Sequence, residues 1–486
     1  MIPDHDFPER PSALDMAWQA LLGAEDFWRW TGLASPVLAS THAPARTVAL
    51  QARRRCDELV RFARRRSRFY ARHFRDVPEG TSLEGLPTVD RQSLMAHFDD
   101  WVTDPALHLQ ALQQFVADPL RRGEPYLGRY AVWTSSGTTG VPGLYVSDPA
   151  ALATYEALLT MRLSGQCGAN LLWHTLLGGG RLAMVAALEG HFAGIVSWER
   201  MRRLHPWIST RSQAFSIVEP IASLVAALND WQPTLLSSYP SMLSVLADEV
   251  QAGRLRISPS VLWSGGEELA ATEAKRLKAV FSCPIFEEYG ASECMNMAFS
   301  CENGALHLNA DWVILEPVDE EGRLVKVGEA STNALLTNLC NRVQPIIRYQ
   351  LGDSVTLLPG TCRCGCPLPR LRVEGRHDDL LRLNSPHGHS VVVVPLAIES
   401  VIEDSAAVHH FQVLQTRADA LSVRLSPPPD MTRKQAWSQV RQSLEAFLTS
   451  QGAPWVHLNL DPHEPHAHPV SGKLHRVQGL RHSRRG

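Results

Sequence analysis

"WTSSGTTGVPG", Trp133 to Gly143, follows the apolar run Tyr130–Ala131–Val132. Most of its residues are Gly, Ser or Thr, a composition that packs poorly and has no use in a core. Successive backbone N–H groups in such a turn form a concave nest for anions, and the hydroxyls add further donors. Phosphate is the usual occupant where a loop of this kind joins secondary elements. The stretch has no lysine and no G-x-x-x-x-G-K-[ST] frame, which excludes a Walker A loop. A flexible loop without a ligand is the alternative reading.

Outward from this loop the chain alternates short β-rich runs with longer helical patterns. "RLAMVAAL" (181–188), "PTLLSSY" (233–239) before "PSMLSVLADEVQAG", and "SVLWSGGEEL" (260–269) before "AATEAKRLKAVF" are examples. Strand–turn–helix succession predicts α/β layers with mostly parallel sheets, and ligands in such sheets sit at the carboxyl ends of the strands. Beyond residue 330 the runs "NALLTNL", "QPIIRYQLGD" and "SVTLLPG" read as short strands, and "GRHDDLLRL" reads as a junction. The remainder holds the strands "SVVVVPL", "FQVLQTR" and "ALSVRLS" and a helix near 431–450. The fold class expected is therefore α/β, with a large N-terminal multi-sheet domain over 1–376, opening on a helical segment (1–125). A small mobile α+β C-terminal domain is expected over 377–486.

Composition narrows the function classes. The 486 residues carry 47 Lys and Arg against 50 Asp and Glu, so no global field argues for nucleic acid as partner. No apolar run approaches the ~20 residues of a membrane span. The N-terminal "MIPDHDFPERP" lacks the pattern of a secretory signal, so a cytoplasmic location is expected. One local departure is basic. From Ala43 to Phe74 the spacing of Leu59, Phe62, Ala63, Phe69 and Tyr70 predicts one helix, whose other faces carry Arg53, Arg54, Arg55, Arg61, Arg64, Arg65, Arg66, Arg68 and Arg72. That run reads as a solvated face or as a docking face for an acidic partner.

Six motifs occur in one order: "SSGTTGVPG" (135–143), "SGGEEL" (264–269), "EEYGASE" (287–293), "IRYQLGD" (347–353), "GRHDD" (375–379) and "SGKLHR" (471–476). The set resembles the adenylate-forming superfamily of acyl-CoA synthetases, peptide-synthetase adenylation domains and luciferases. More narrowly it resembles the phenylacetate–CoA ligase and coenzyme F390 synthetase branch, including the hydroxybenzoate–carrier protein ligases of aryl-polyene pigment clusters. The resemblance implies that Ser135, Ser136, Gly137, Thr138, Thr139 and Gly140 wrap the β- and γ-phosphates of ATP. It implies that Gly265, Gly266 and Glu267 lie along the adenine, with Tyr289 stacked on the ring and Gly290 beside it. Ser292 would touch the α-phosphate, Glu293 would hold Mg2+, Asp353 would accept the ribose hydroxyls, and Arg376 would reach ribose or phosphate. Lys473 would bridge carboxylate and α-phosphate from the mobile domain. The chemistry is coherent, since a carboxylate attacking a polyphosphate needs cations to neutralise the charge that develops. Two departures stand out. Many relatives end the phosphate loop with lysine where this chain has Gly143. The thiol-forming enzymes usually read arginine–glycine–hydrophobic–asparagine where this chain has "NSPHGHSVVVVPL", with Gly388 displaced downstream.

Cys362, Cys364 and Cys366 fall in "TCRCGCP", while "CENGALH" supplies Cys301 and His307. Thiolates and imidazole suit tetrahedral zinc, and reduced surface thiols are the alternative. The resemblance selects Cys301, His307, Cys362 and Cys364 as ligands of a structural Zn2+. By the same resemblance the acid pocket lies among His191, Phe192, Tyr239, Pro240, Trp263 and Ala291. His191 reads either as a hydrogen-bonding group for the substrate or as a core histidine satisfied by backbone. The aromatic lining favours an aryl acid of the hydroxybenzoate kind. The expected reaction is ATP-dependent formation of acyl-AMP and transfer to a phosphopantetheine thiol, with an acyl carrier protein favoured over CoA. The alternatives are an aryl-CoA ligase of the phenylacetate type and AMP transfer to a phenolic cofactor.

Overall fold

The computed structural model describes residues 13–135, 143–166, 180–374, 380–385, 388–406, 408–428, 430–466 and 475–480. The basic helix of the sequence reading is two helices, Ala45–Arg66 and Arg68–His73. They part at Ser67, which adopts extended backbone and accepts the Tyr70 amide on its hydroxyl as an N-cap. Its hydroxyl also reaches the Asp100 carbonyl at 3.1 Å, so a tertiary contact stabilises the break. Two of the arginines are structural rather than solvated. Arg64 donates to the carbonyls of Phe74 and Val77, and Arg55 lies over the Trp312 ring and donates to the Asp311 carbonyl.

The glycine-hydroxyl stretch joins β1 (Ala131–Thr134) to β2 (Leu144–Ser147), an antiparallel pair in register from Thr134↔Leu144 to Ala131↔Ser147. The largest sheet uses β3 (Leu182–Ala186), β4 (Ser212–Ser216), β5 (Leu235–Ser238), β6 (Val261–Ser264), β7 (Ile285–Ala291), β8 (Cys294–Ser300) and β9 (Leu306–Leu308). A three-stranded antiparallel sheet of β10 (Val313–Val318), β11 (Asn333–Asn338) and β12 (Ile346–Gln350) follows. Then β13 (Ser354–Leu358) and β14 (Arg370–Glu374) return to the large sheet, whose order is β13-β14-β9-β8-β7-β6-β5-β3-β4. The expectation of mostly parallel sheets therefore holds for one half only. From β4 to β7 the neighbours are parallel, and from β7 to β13 they are antiparallel. The cause is connection length. Helices cross over between the parallel strands, whereas β7 passes to β8 through a turn at Ser292 and Glu293 that only antiparallel strands accept.

The last part of the chain forms a hairpin, β15 (Leu381–Asn384) with β16 (Ser390–Val393), then a separate sheet. That sheet has the order β19-β18-β17-β20, with β17 (His410–Arg417), β18 (Ala420–Ser426), β19 (His457–Leu460) and β20 (Val477–Gln478). The displaced Gly388 closes the β15–β16 turn at φ +87, where its amide meets the Ser385 carbonyl. Helix Arg433–Ser450 opens with a capping box of Thr432 and Gln435. One apolar core joins Leu59, Trp101, Val132, Leu336 and Ile347, and another joins Val185, Leu236 and Leu262 to Leu381, Val413 and Leu444. No helix among the described residues is long and apolar enough to cross a membrane.

Candidate active site

The mouth of the glycine-hydroxyl loop is clasped by two hydrogen bonds. The Ser135 amide donates to the Gly143 carbonyl and the Gly143 amide donates to Ser135 Oγ, both at 2.9 Å. Ser136, Gly137, Thr138, Thr139 and Gly140, together with Arg376 and Lys473, lie outside the described residues. Gly143 explains why no lysine stands there. A Cβ at this position would fall 2.6 Å from Tyr145 Oη, and that hydroxyl is already committed.

Its partner is Glu293, in the β7–β8 turn. Three donors converge on one carboxylate oxygen: Tyr145 Oη at 2.6 Å, Tyr349 Oη at 2.7 Å and Arg91 Nη2 at 3.1 Å all address Oε1. Oε2 takes none of these three. Burial works against the charge, yet the Arg91 guanidinium and the two hydroxyls outweigh it and hold the carboxyl below the ordinary glutamate range. The turn is fixed as well, since Trp133 Nε1 donates to the Ser292 carbonyl at 2.8 Å and Asn338 Nδ2 to the Glu293 carbonyl at 2.9 Å. An ionised carboxylate with one oxygen held and the backbone pinned is a fixed ligand for a hard cation such as Mg2+.

Arg91, Tyr145 and Tyr349 were not among the residues singled out from sequence. Tyr349 stands inside "IRYQLGD", where attention fell on Asp353. Arg91 carries no local signal, because it lies 202 residues from its partner. It opens helix Arg91–Ala96, capped by Asp90, and Val89 just before it pairs with the β12 backbone around Tyr349. That bridge places the guanidinium beside the site.

On the adenine side expected from sequence, Tyr289 Oη donates to Asp353 Oδ2 at 2.8 Å, so the two residues are brought together. Gly266 has φ +82, and a Cβ there would lie 3.0 Å from the Tyr239 ring. Gly265 donates to the Ser238 carbonyl. Glu267 accepts from the Ser241 amide and hydroxyl at 2.9 and 2.8 Å, at the start of helix Pro240–Gln251. A Cβ on Gly290 would crowd the Asn296 amide at 3.2 Å. Among the acid-pocket residues, Tyr239 is half-buried and Pro240 buried at the carboxyl end of β5, and Ala291 is half-buried at the end of β7. Trp263 on β6 donates to Glu288 Oε2. His191 Nε2 lies 2.9 Å from the Asp118 carbonyl and so donates to it, while its Nδ1 is buried without a partner among the described residues. Phe192 precedes helix Ala193–Leu204.

No family model matches the chain. Over 253 residues it is 22% identical to protein CapK of Staphylococcus aureus, across 51% of this chain and 54% of that one. Over 197 residues it is 28% identical to phenylacetate–coenzyme A ligase of Pseudomonas putida, across 37% of this chain and 40% of the ligase. The chain thus spans about half or less of the length of the curated relatives it matches. In three dimensions it is similar to 2-hydroxyisobutyryl-CoA ligase solved with 2-HIB-AMP and CoA in the thioesterification state. The TM-score is 0.56 at 20% identity, covering 90% of this chain and 91% of the ligase. The chain has the fold of that ligase.

Within that fold the cysteine cluster sits at the antiparallel half of the large sheet. Cys301 follows β8, His307 lies in β9, and Cys362 and Cys364 belong to the loop between β13 and β14. Their ligand atoms all lie within 4.8 Å of one another, with Cys301 Sγ 3.8 Å from Cys362 Sγ and Cys364 Sγ 3.4 Å from His307 Nε2. Tetrahedral zinc, with Zn–S of ~2.3 Å and Zn–N of ~2.0 Å, sets its ligands about 3.5–3.8 Å apart, so these residues fit it. His307 Nδ1 lies 3.0 Å from the Leu368 carbonyl, which can only accept, so the lone pair is left on Nε2, facing the cluster. Bound there, zinc would cross-link two hairpins with four protein ligands and leave no open position for catalysis. Purified protein is expected to hold one zinc per chain by elemental analysis, and chelation is expected to lower the unfolding midpoint by several degrees.

Proposed function

We propose that this protein is an acid–thiol ligase that joins a small carboxylic acid to AMP with release of pyrophosphate, then passes the acyl group to a phosphopantetheine thiol. The observation that carries the reading is the held carboxylate of Glu293, set between the clasped glycine-hydroxyl loop and the Tyr289–Asp353 pair. In this reading residues 135–140 take the ATP phosphates, and Glu293 presents Mg2+ to them. Gly265, Gly266, Glu267, Tyr289 and Gly290 hold the adenine, with Asp353 and Arg376 on the ribose. Ser292 touches the α-phosphate. Mg2+ and Lys473 supply the charge that lets a carboxylate approach the α-phosphate; loss of one such donor costs about 2.7–4 kcal/mol of transition-state stabilisation. Residues 377–486 form the unit that brings Lys473 in and out.

The acid is an aryl acid of the hydroxybenzoate class, held among His191, Phe192, Tyr239, Pro240, Trp263 and Ala291. The acceptor is an acyl carrier protein in preference to CoA. Supporting this, Leu381–Asn384 pairs with Ser390–Val393 where thiol-forming relatives usually carry a glycine loop, and the helices at 45–73 expose Arg53, Arg61, Arg65, Arg66, Arg68 and Arg72.

The test is pyrophosphate release across aryl and alkyl acids, with Lys473→Ala in parallel, followed by CoA and a holo carrier protein as acceptors. Release with one aryl acid, lost in the variant and followed by thioester on the carrier protein, is the expected result. Thioester with CoA alone would make the protein an aryl-CoA ligase. A stable adenylylated phenol without pyrophosphate release on any acid would replace acid activation by nucleotidyl transfer. Charge reversal at Arg61, Arg65 and Arg66 is expected to slow transfer to the carrier protein and spare transfer to CoA. Arg64 is left out, because it supports the 74–78 turn.

A further inference from the structure

Glu288 is a half-buried acid to which the reaction above assigns nothing. Strand β7 outruns its parallel neighbour: Trp263 pairs with Phe286 and Ser264 with Glu287, so Glu288 is the first β7 residue beyond the end of β6. It therefore stands at the carboxyl edge of the parallel strands, where α/β sheets bind ligands. Its register partner on β8 is Phe299, which places it on the face that also carries Phe286 and Trp263.

Two donors orient the carboxylate. Trp263 Nε1 reaches Oε2 at 3.1 Å and Asn296 Nδ2 reaches Oε1 at 2.5 Å. Asn296 is itself held in the left-handed region at φ +52, with its carbonyl taken by Asn309 Nδ2 at 2.6 Å. Glu288 thus has a fixed pose and a fixed supporting shell. What it lacks is a cation, for no salt bridge to it forms among the described residues. Burial accordingly pushes its carboxyl up to about 7. A carboxylate offers about four acceptor positions, and the two side-chain donors with the Asn296 backbone amide leave at least one open. Covering such a carboxylate without a counter-ion is costly, and a bound group that brings an N–H or O–H to it offsets that cost.

We infer that Glu288 is a specificity residue of the acid pocket, and that the acid this protein takes carries a hydrogen-bond donor, amino or hydroxyl, remote from its own carboxylate. The inference rests on the acid-activating reading above. A plain aryl or alkyl acid that covers Glu288 leaves its open acceptor positions unanswered. A donor-bearing acid answers it, and a cationic amine adds the missing charge.

The test compares benzoic, 4-hydroxybenzoic and 4-(aminomethyl)benzoic acids, with hexanoic and 6-aminohexanoic acids as an aliphatic pair. Each is assayed by ATP–pyrophosphate exchange with wild type, Glu288→Gln and Glu288→Leu. At least one donor-bearing acid is expected to exceed its parent in kcat/KM by about 10-fold or more. Glu288→Gln keeps an acceptor carbonyl without the charge, so it should erase a preference for the amine and retain part of a preference for the hydroxyl. Glu288→Leu should erase both. Equal rates for parent and donor-bearing acids, or a preference unchanged in both variants, would overturn the inference. Binding of the same acids by calorimetry separates the two readings. Donor-dependent binding that is lost in Glu288→Leu, without exchange on any acid, would keep the pocket assignment and sink acid activation. Absence of donor-dependent binding would sink the assignment itself. Unfolding midpoints of the variants identify any loss that comes from folding.

Discussion

Glu288 and Glu293 stand five residues apart, one half-buried near the end of a strand and one buried in the turn that follows. Their charge states nevertheless move in opposite directions. Glu293 has an arginine and two phenols on one oxygen and is held below the usual glutamate range, whereas Glu288 has an indole and an amide and is pushed up to about 7. Desolvation pushes both carboxyls up and acts on the more deeply buried Glu293 as well, so the partners decide. A carboxylate with a full positive charge at 3.1 Å is kept as an anion. A carboxylate given only neutral donors waits for a partner from outside.

The most severe way to break this contrast is Arg91→Ala, which turns Glu293 into a second uncompensated acid. Breaking a buried ion pair costs on the order of 3–5 kcal/mol, so ATP–pyrophosphate exchange should fall more than 100-fold, with the Mg2+ requirement raised. The sign of the pH effect follows from the depressed pKa. The contribution of Glu293 is full above the ordinary glutamate value and is lost as pH falls below it. Without Arg91, burial alone raises the pKa, and the acidic limb of the pH–rate profile should move to higher pH. Arg91→Lys should restore part of the activity and return the limb. A merely structural role for Arg91 would leave the limb in place. Mn2+ binding followed by electron paramagnetic resonance gives a readout independent of turnover.

A smaller effect is expected from Gly143→Lys, which restores the residue that many relatives carry. The new side chain must displace Tyr145, and overpacking of this kind costs about 1–3 kcal/mol. Thermal denaturation should show a lower midpoint, and exchange should slow rather than quicken. Faster exchange would mean that the site has room for a second cation after all. The mildest change is Tyr349→Phe. It removes one of three donors and leaves Arg91 and Tyr145, so a loss of about 0.5–1.5 kcal/mol, or a few-fold in exchange rate, is expected. A loss as large as that of Arg91→Ala would show that the donors act as one unit.

Much of the site and the fold was legible along the chain, because the signals were local. Alternation of strand and helix patterns marks β3, β5 and β6 where they occur, since period and turn chemistry act over a few residues. The motif at 287–293 and Asp353 reads as a nucleotide site, and the structure joins Tyr289 to Asp353. Cys301, His307, Cys362 and Cys364, chosen on spacing and resemblance, converge because β9 and β14 are neighbours in one sheet.

Other features were decided only in three dimensions. The basic helix is broken at Ser67 because the Asp100 carbonyl takes its hydroxyl, and Arg64 and Arg55 leave the solvated face for carbonyls elsewhere. Arg91 is the strongest case. Local sequence makes it the first residue of a capped six-residue helix and nothing more. What it does depends on Val89 pairing beside Tyr349 and on a turn 202 residues away. The sequence by itself determined which residue types stand at each turn and strand end, because local backbone preferences do not need the rest of the chain. Which buried carboxylate keeps its charge was settled by tertiary structure alone, because a pKa answers to the charges and donors within a few ångströms, whatever their separation along the chain.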